Sequence, residues 1–371
     1  MDRYLLREYL LLVGYCFATC VMIQVLSDLF NYLARLLKAG VSPLHALLYY
    51  LCRLGPNLEY LLPVSLLLAT LYTLWQLTRH NELVAMRVSG VRLMRIMMPF
   101  LAVGFTVSIF SMVMKEYVTP KAELWSALFA ASNYDGDNLS AAKGRLDYVN
   151  SQEHRQWVID GFDVRNPRVL KGVVIQQERE DGSVVKKVVA DRAEWLDGEW
   201  WFFEAKEQDY NEEGNAIGSA HGLTGSGRGI PMNHLTETPM DFAVKAKLAV
   251  ASHLDAAEIL TSQELVLHIK SLSGAARNRI IKEKVDFHCR FATPWACLVV
   301  ALFGIPVGAK TGRQSALAGV LAAILCFFSF YALTHVGIFL GKREVLWPWL
   351  AAWLSNIVFI VAGIRMLLTM K

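Results

Sequence analysis

Residues 79–92 read Arg-His-Asn-Glu-Leu-Val-Ala-Met-Arg-Val-Ser-Gly-Val-Arg, and this is the segment whose residue types and spacing say most about chemistry. Glu82, Met86 and Ser89 share one helical face, Leu83 and Arg87 flank it, and Gly90 is placed to end the helix. A short amphipathic helix acts by docking: it lies on a membrane surface or seats in a partner's groove. Catalytic readings fare worse. His80-Asn81-Glu82 has the His-x-Glu of zinc deaminases, yet no Cys-x-x-Cys follows, so no metal is expected. Gly222, Gly225, Gly227 and Gly229 crowd together without a Gly-Lys-Ser/Thr ending or a following helix, which suits a hairpin tip and not a phosphate loop. Ser329 and His335 are six residues apart, off a common helical face, and no hydrolase motif accompanies them. Neither catalysis nor a cofactor is expected. Arg35, Lys38 and Arg53 are either snorkelling anchors or partners for the phosphates of an anionic lipid.

These residues need elements to hold them. The 371-residue chain is 54% hydrophobic and 19% charged, against about 25% charged in an ordinary soluble domain, so much of it belongs in lipid. A bilayer core takes about 20 apolar helical residues. Six stretches qualify: Tyr9 to Leu33, Tyr60 to Thr78, Ile96 to Val118, Phe291 to Ala309, Ser315 to Leu340 and Leu346 to Leu368. The first is too long for a signal core and reads as a span. Pro63, Pro294 and Pro306 should kink or weaken their helices, and Pro56 should mark where a short helix (Leu44 to Cys52) meets the second span.

Arg3, Arg7, Arg79, Arg87, Arg92, Arg95, Lys310 and Arg313 fall on one side of these spans. The bias makes that side cytoplasmic and puts the insert between spans three and four outside, in the periplasm of a two-membrane cell. Net charge is +4, too small to argue for nucleic acid. All six cysteines fall in or beside the apolar stretches and suit small packing residues, with no disulfide framework or metal cluster implied.

The insert changes character. Arg155 to Asp160, Val169 to Gln176, Ser183 to Ala190 and Trp200 to Glu204 are β-branched and aromatic runs, separated by turn signals at Asp181-Gly182, Asp197-Gly198 and Glu213-Gly-Asn215. They predict a sandwich, jelly roll or curved sheet. The bulky apolar face around Trp195 and Trp200 to Phe203 is either core or a lipid-binding groove. Helix returns from Ser252, with Thr261 and Glu264 at capping-box spacing, a Leu265, Ile269, Leu272 stripe, a break at Gly274, and a basic amphipathic segment from Arg277 to Lys284.

Taken in order, these segments resemble the LptF/LptG family (also called YjgP/YjgQ), the permease subunits of the lipopolysaccharide exporter. The resemblance is carried by Arg3-Tyr-Leu-Leu-Arg-Glu-Tyr9, Leu62-Pro63 with Leu67-Leu-Ala-Thr-Leu71, Asn81-Glu-Leu-Val-Ala-Met-Arg-Val-Ser-Gly90 and Glu116-Tyr-Val-Thr-Pro120. It continues in Thr261-Ser-Gln-Glu-Leu265, Arg290-Phe-Ala-Thr-Pro294, Phe303-Gly-Ile-Pro-Val-Gly308 and Trp349-Leu-Ala-Ala-Trp-Leu-Ser-Asn356. Its most specific element is Glu-Leu-x-Ala-Met-Arg-x-x-Gly in a loop between two spans.

The resemblance implies an α-helical membrane protein of the bacterial inner membrane. Transmembrane helices 1–3 would occupy residues 1–118 and helices 4–6 residues 288–371. The periplasmic insert, 119–287, would hold a β-jellyroll over 140–252 and a helical linker over 253–287. It further implies a coupling helix near 80–90, with Glu82, Leu83, Ala85, Met86, Arg87 and Gly90 meeting a cytoplasmic ABC ATPase dimer, so that ATP hydrolysis lies outside this chain. The other implied partners are a paralogous permease, periplasmic LptC/LptA-type jellyroll proteins and lipopolysaccharide. The first and fifth spans would be lateral gates. LptG-type members carry basic residues at the top of the first span and after the third; here Asn31, Arg35 and Lys38 stand at the first place, Lys115 and Lys121 at the second. The candidate lipid contacts are Asn31, Arg35, Lys38, Lys121, Trp201 and Phe203. The competing expectation is a mechanotransmitting permease-like protein that drives a periplasmic partner without moving lipid.

Overall fold

A computed structural model describes residues 2–369 apart from 39, 41, 91–92, 134–143, 151, 165, 180–181, 212–214, 223–228, 252–253, 273–276 and 312–315. At 2, 31–38, 43, 87, 93–94, 130–133, 309–311, 316–320 and 322–323 it describes backbone alone. Asp181 and Glu213 of the expected turns, the helix break at Gly274, Gly225 and Gly227 of the glycine cluster, and Arg92 and Arg313 therefore lie outside the described residues.

Six helices are long and apolar enough to cross a membrane: Arg3–Phe30, Leu44–Arg79, Arg95–Phe129, Arg277–Gly308, Ile324–Lys342 and Pro348–Leu368. Three precede an antiparallel β-sheet region and three follow it, so the chain is a helical membrane protein with an inserted β-domain. By compactness it divides into one unit of residues 1–122 and 281–371 and a second of residues 123–280.

In the first unit, α1 (Asp2–Lys38) and α2 (Pro43–Arg79) are followed by the short α3 (Glu82–Val88) and by α4 (Leu93–Val113). A π-helical turn at Met114–Val118 leads into α5 (Thr119–Asn133). The expected junction at Pro56 is absent: α2 is one 37-residue helix with Pro56 and Pro63 inside it. Both prolines delete a backbone donor, and at Pro63 a neighbouring side chain makes up the difference. The Tyr331 hydroxyl donates to the Glu59 carbonyl (3.1 Å) that Pro63 leaves without its helical partner, and one residue past Pro56 the Asn57 side-chain amide donates to the Arg53 carbonyl (3.2 Å). Ser65, Thr70 and Thr73, all buried, donate to carbonyls three or four residues back, so the middle of α2 carries no bare hydroxyl.

The later helices of this unit are α9 (Arg277–Ala292), whose residues 277–280 belong to the second unit, α10 (Ala296–Thr311), α11 (Ala316–Lys342) and α12 (Pro348–Leu368). Pro294 sits in a single 3₁₀ turn, Thr293–Trp295, where α9 passes into α10. Gly304 and Gly308 lie on the α10 face against α2: a Cβ at Gly304 would stand 3.1 Å from Leu67, and one at Gly308 would stand 3.0 Å from Leu74 and 3.2 Å from Leu71. Lipid supplies little hydrophobic drive between helices, so this close backbone approach is what dispersion needs. Two of the motifs quoted above, Leu67–Leu71 and Phe303–Gly308, are thus the two halves of one helix contact.

The second unit carries strands β1 (Leu146–Asn150), β2 (Arg155–Gly161), β3 (Val169–Glu178), β4 (Val184–Leu196), β5 (Glu199–Phe203), β6 (Lys206–Tyr210), β7 (Ala216–Gly222) and β8 (Ile230–Met232). They form one antiparallel sheet in the order β1-β2-β3-β4-β5-β8, with β6 joining β4 to β7. The long β4 allows this: residues 192–196 pair with β5 and residues 186–189 with β6. Asp197 (φ 52°) and Gly198 (φ 86°) both take left-handed backbone, the requirement of the two-residue turn read at that place.

After the strands come α6 (Pro239–Val250), α7 (Ala256–Ile259) and α8 (Ser262–Ser271). The capping box at Thr261 and Glu264 is formed. Phe242 and Ala246 of α6 close the sheet's buried face, with the Phe242 ring 4.9 Å from Trp157, 5.7 Å from Trp200 and 5.2 Å from Tyr148. An ion pair inside this unit, Arg155 Nη1 to Glu237 Oε2 at 2.7 Å, is almost wholly shielded from water.

Candidate functional site

The segment 80–90 folds as the sequence suggests and is held at one point. Asn81 (φ 60°) turns the chain, and its carbonyl accepts from Ala85 N (2.9 Å), opening α3. Glu82 occupies the first turn, where a carboxylate complements the helix dipole. Ser89 Oγ donates to the Met86 carbonyl (2.9 Å), and Gly90 at φ 84° ends the segment. Leu83 is 7% exposed and joins a cluster with Leu5, Tyr9, Leu77, Ile96 and Phe100, with Met86 packed beside it. Val84, Ala85 and Val88 face outward, and Val88 is 84% exposed. One face is anchored; the opposite face is apolar and open. The Arg87 side chain lies outside the described residues.

The anchoring cluster draws in the N-terminal motif. Tyr9, fully buried, hydrogen-bonds Thr70 Oγ1 (2.9 Å) and packs on Phe100 at 4.6 Å, while Gln76 Nε2 donates to Glu8 Oε1 (2.9 Å). Arg3–Tyr9 and Asn81–Gly90 are therefore parts of one packed end of the bundle.

A second constellation joins Lys115, Glu116 and Arg290, which stand in or beside the motifs given above, to Glu59. Lys115 Nζ donates to Glu59 Oε2 (2.5 Å) and Thr293 Oγ1 (2.7 Å). Arg290, 3% exposed, donates through Nε to Glu116 Oε2 (3.0 Å) and through Nη2 to the Lys115 carbonyl (2.8 Å). Asn356 Nδ2 donates to the Ala292 carbonyl (2.8 Å) close by. The π-helical turn carries both Lys115 and Glu116, and such turns free carbonyls for outside donors. The motifs at 116–120, 290–294 and 349–356 thus form one polar knot among apolar helices. Charged residues inside an apolar stretch (Lys115 and Glu116) or at the edge of one (Glu59 and Arg290) were the available signal for it.

The candidate lipid contacts are scattered. Side chains at Asn31, Arg35 and Lys38 lie outside the described residues, and Lys121 is exposed on α5. Trp200 and Phe202 point into the sheet's core, fully buried, whereas Trp201 and Phe203 lie on the other face and are half-buried. The apolar run read as core or groove thus divides by strand alternation. Arg192 lies over the Phe203 ring at 5.6 Å, and the shielded Trp201 Nε1 has no hydrogen-bond partner among the described residues. Ser329 Oγ donates to the Leu325 carbonyl (2.7 Å), the local bond of an intrahelical serine. Among the described residues no cluster of His, Cys, Asp and Glu could hold a metal.

The family model for the lipopolysaccharide export system permease LptF/LptG matches residues 3–369. The chain belongs to this family. Comparison with individually curated proteins gives no match. Membership makes the chain a multi-pass, non-catalytic permease, and it gives the LptF/LptG motifs a physical meaning: they form the anchored α3, the α2–α10 contact and the polar knot.

Proposed function

We propose that this LptF/LptG permease subunit extracts lipopolysaccharide from the inner membrane and passes it through its β-domain toward the outer membrane. A cytoplasmic ABC ATPase dimer and a second permease of the same family complete the transporter, and LptC/LptA-type jellyroll proteins receive the lipid in the periplasm. ATP closure in the ATPase moves α3, and the bundle in which Leu83 is rooted repacks in response. Pulling acyl chains out of a bilayer costs about 0.8 kcal/mol per CH₂ left exposed, so an apolar path must replace the membrane and ATP must cover the remainder. Asn31, Arg35, Lys38 and Lys121 then meet lipid phosphates, while Trp201 and Phe203 line the lipid's route.

What supports the coupling reading is α3 itself, anchored on one face by Leu83 and Met86 while Val84 and Val88 stay exposed on another. Glu82→Arg is expected to lower co-purification of the ATPase at least tenfold, while Ser329→Ala leaves it unchanged. Full ATPase recovery and unaltered outer-membrane lipopolysaccharide in Glu82→Arg would remove α3 from the coupling role.

A further inference from the structure

Within the inserted unit, β1, α6, α8 and the first turn of α9 line an open cavity of about 380 Å³, inside the size range of small-ligand sites. Its walls are apolar: Tyr148, Val244, Leu248, Leu267 and Leu272. Its polar groups are the cations Lys245 and Arg279, His268 and Ser271, with Asp241 beside them. Asp241 is committed elsewhere, since its Oδ2 accepts from both the backbone N (2.7 Å) and the hydroxyl (2.8 Å) of Thr238 in the α6 capping box. Among the described residues Lys245 and Arg279 make no ion pair, and both are exposed. The other cation of α6, Lys247, is held by Glu264 at 2.5 Å.

The decisive group is His268. Its side chain is 8% exposed, it lines the cavity, and its Nε2 is buried with no hydrogen-bond partner among the described residues. A buried polar atom left without a partner costs free energy that a ligand can recover. Burial, followed by the charges of Arg279 and Lys245, pushes the imidazole pKa down to about 4, so the ring is neutral at pH 7. Tyr148, from β1, is likewise pushed up, by burial and then by Asp241 and Glu237, and stays a neutral phenol. The cavity thus presents two cations and a neutral imidazole over an apolar floor.

We propose that this cavity is a binding site for a phosphate monoester carried on an apolar body, its oxyanion held by Lys245, Arg279 and His268 Nε2 and its apolar part lying against Tyr148, Leu248 and Leu272. The site stands apart from the export reading, because it needs neither ATP nor a partner chain. A bound dianion reverses the field at His268, so the ring's pKa rises in the complex. Affinity for the dianion accordingly rises as pH falls through the ring's bound-state pKa, until protonation of the free phosphate, whose second pKa is about 6, opposes it.

The test is calorimetric titration of the full chain in lipid nanodiscs with n-hexyl phosphate, inorganic phosphate and hexanol. Hexyl phosphate is expected to bind one to one, at least tenfold tighter than inorganic phosphate, and to shift the His268 Cε1–H resonance, assigned by its loss in His268→Gln. Lys245→Gln with Arg279→Gln, two surface changes that leave the core intact, should weaken it at least tenfold. Equal binding by that double variant, equal affinity for inorganic phosphate, or displacement by hexanol at matched concentration would each overturn the proposal.

Discussion

Replacing Glu237 by alanine is expected to cost the inserted unit about 3–5 kcal/mol, the loss typical of a buried ion pair stripped of one partner. The carboxylate is 1% exposed and the Arg155 side chain 7%, so after the change a guanidinium stays shielded from water without its counter-charge. Gln177 Oε1 still accepts from Arg155 Nε (2.9 Å), but a neutral amide does not balance a cation. Asn150 Nδ2 also loses its acceptor, Glu237 Oε1 at 2.9 Å. The bond from Trp200 Nε1 survives, because it ends on the Glu237 backbone carbonyl (2.8 Å). Arg155→Met with Glu237→Leu should recover most of the loss, since apolar replacement of both partners removes the desolvation cost as well. Urea unfolding followed by tryptophan fluorescence measures both variants; a loss under about 1 kcal/mol for Glu237→Ala would contradict the account.

In the membrane unit the corresponding position is Arg290. Arg290→Ala is expected to destabilise the helical bundle by about 3–5 kcal/mol. The guanidinium is 3% exposed and serves two groups at once, the Glu116 carboxylate and the Lys115 carbonyl. Removing it withdraws the charge that balances Glu116 next to the Lys115–Glu59 pair and leaves a π-helix carbonyl short of its donor. Glu116→Gln should cost less, because an amide still accepts from Nε and Glu116 is 25% exposed, where water supports the change. Exchanging the charges, Glu116→Arg with Arg290→Glu, should restore part of the loss. Denaturation by sodium dodecyl sulfate in mixed micelles reads these differences, and equal stability of Arg290→Ala and the native chain would show that the knot contributes nothing.

The membrane half was the more legible part of the sequence because its signal is redundant. Twenty apolar residues between charges specify a span whichever neighbours it packs on. The turn at Asp197-Gly198 and the box at Thr261 and Glu264 were legible for the opposite reason: they are settled by two or four residues acting locally. Pro56 shows where local rules stop. A proline inside a helix reads as a break, yet α2 runs on through Pro56, and Tyr331, 268 residues beyond Pro63, bonds to the carbonyl that Pro63 leaves open. Long-range partners of this kind have no signature in spacing. The same holds for the knot: Glu59, Lys115, Glu116 and Arg290 were visible as charges among apolar residues, but only the fold brings Arg290 onto Glu116. Strand alternation could have separated Trp200 and Phe202 from Trp201 and Phe203, whereas the buried face could not be chosen without knowing that Phe242 covers it.

The central claim is that force applied at α3 moves lipid through the inserted β-domain. Its most direct measurement places benzoylphenylalanine at Trp201 in proteoliposomes holding lipopolysaccharide, the partner permease and the ATPase, and follows photo-adducts with and without ATP. The account predicts a lipopolysaccharide adduct that accumulates with ATP in the otherwise native chain and falls to background when Glu82 is also changed to arginine. An adduct independent of ATP and of Glu82, or no lipid adduct at all while the ATPase turns over, would contradict it.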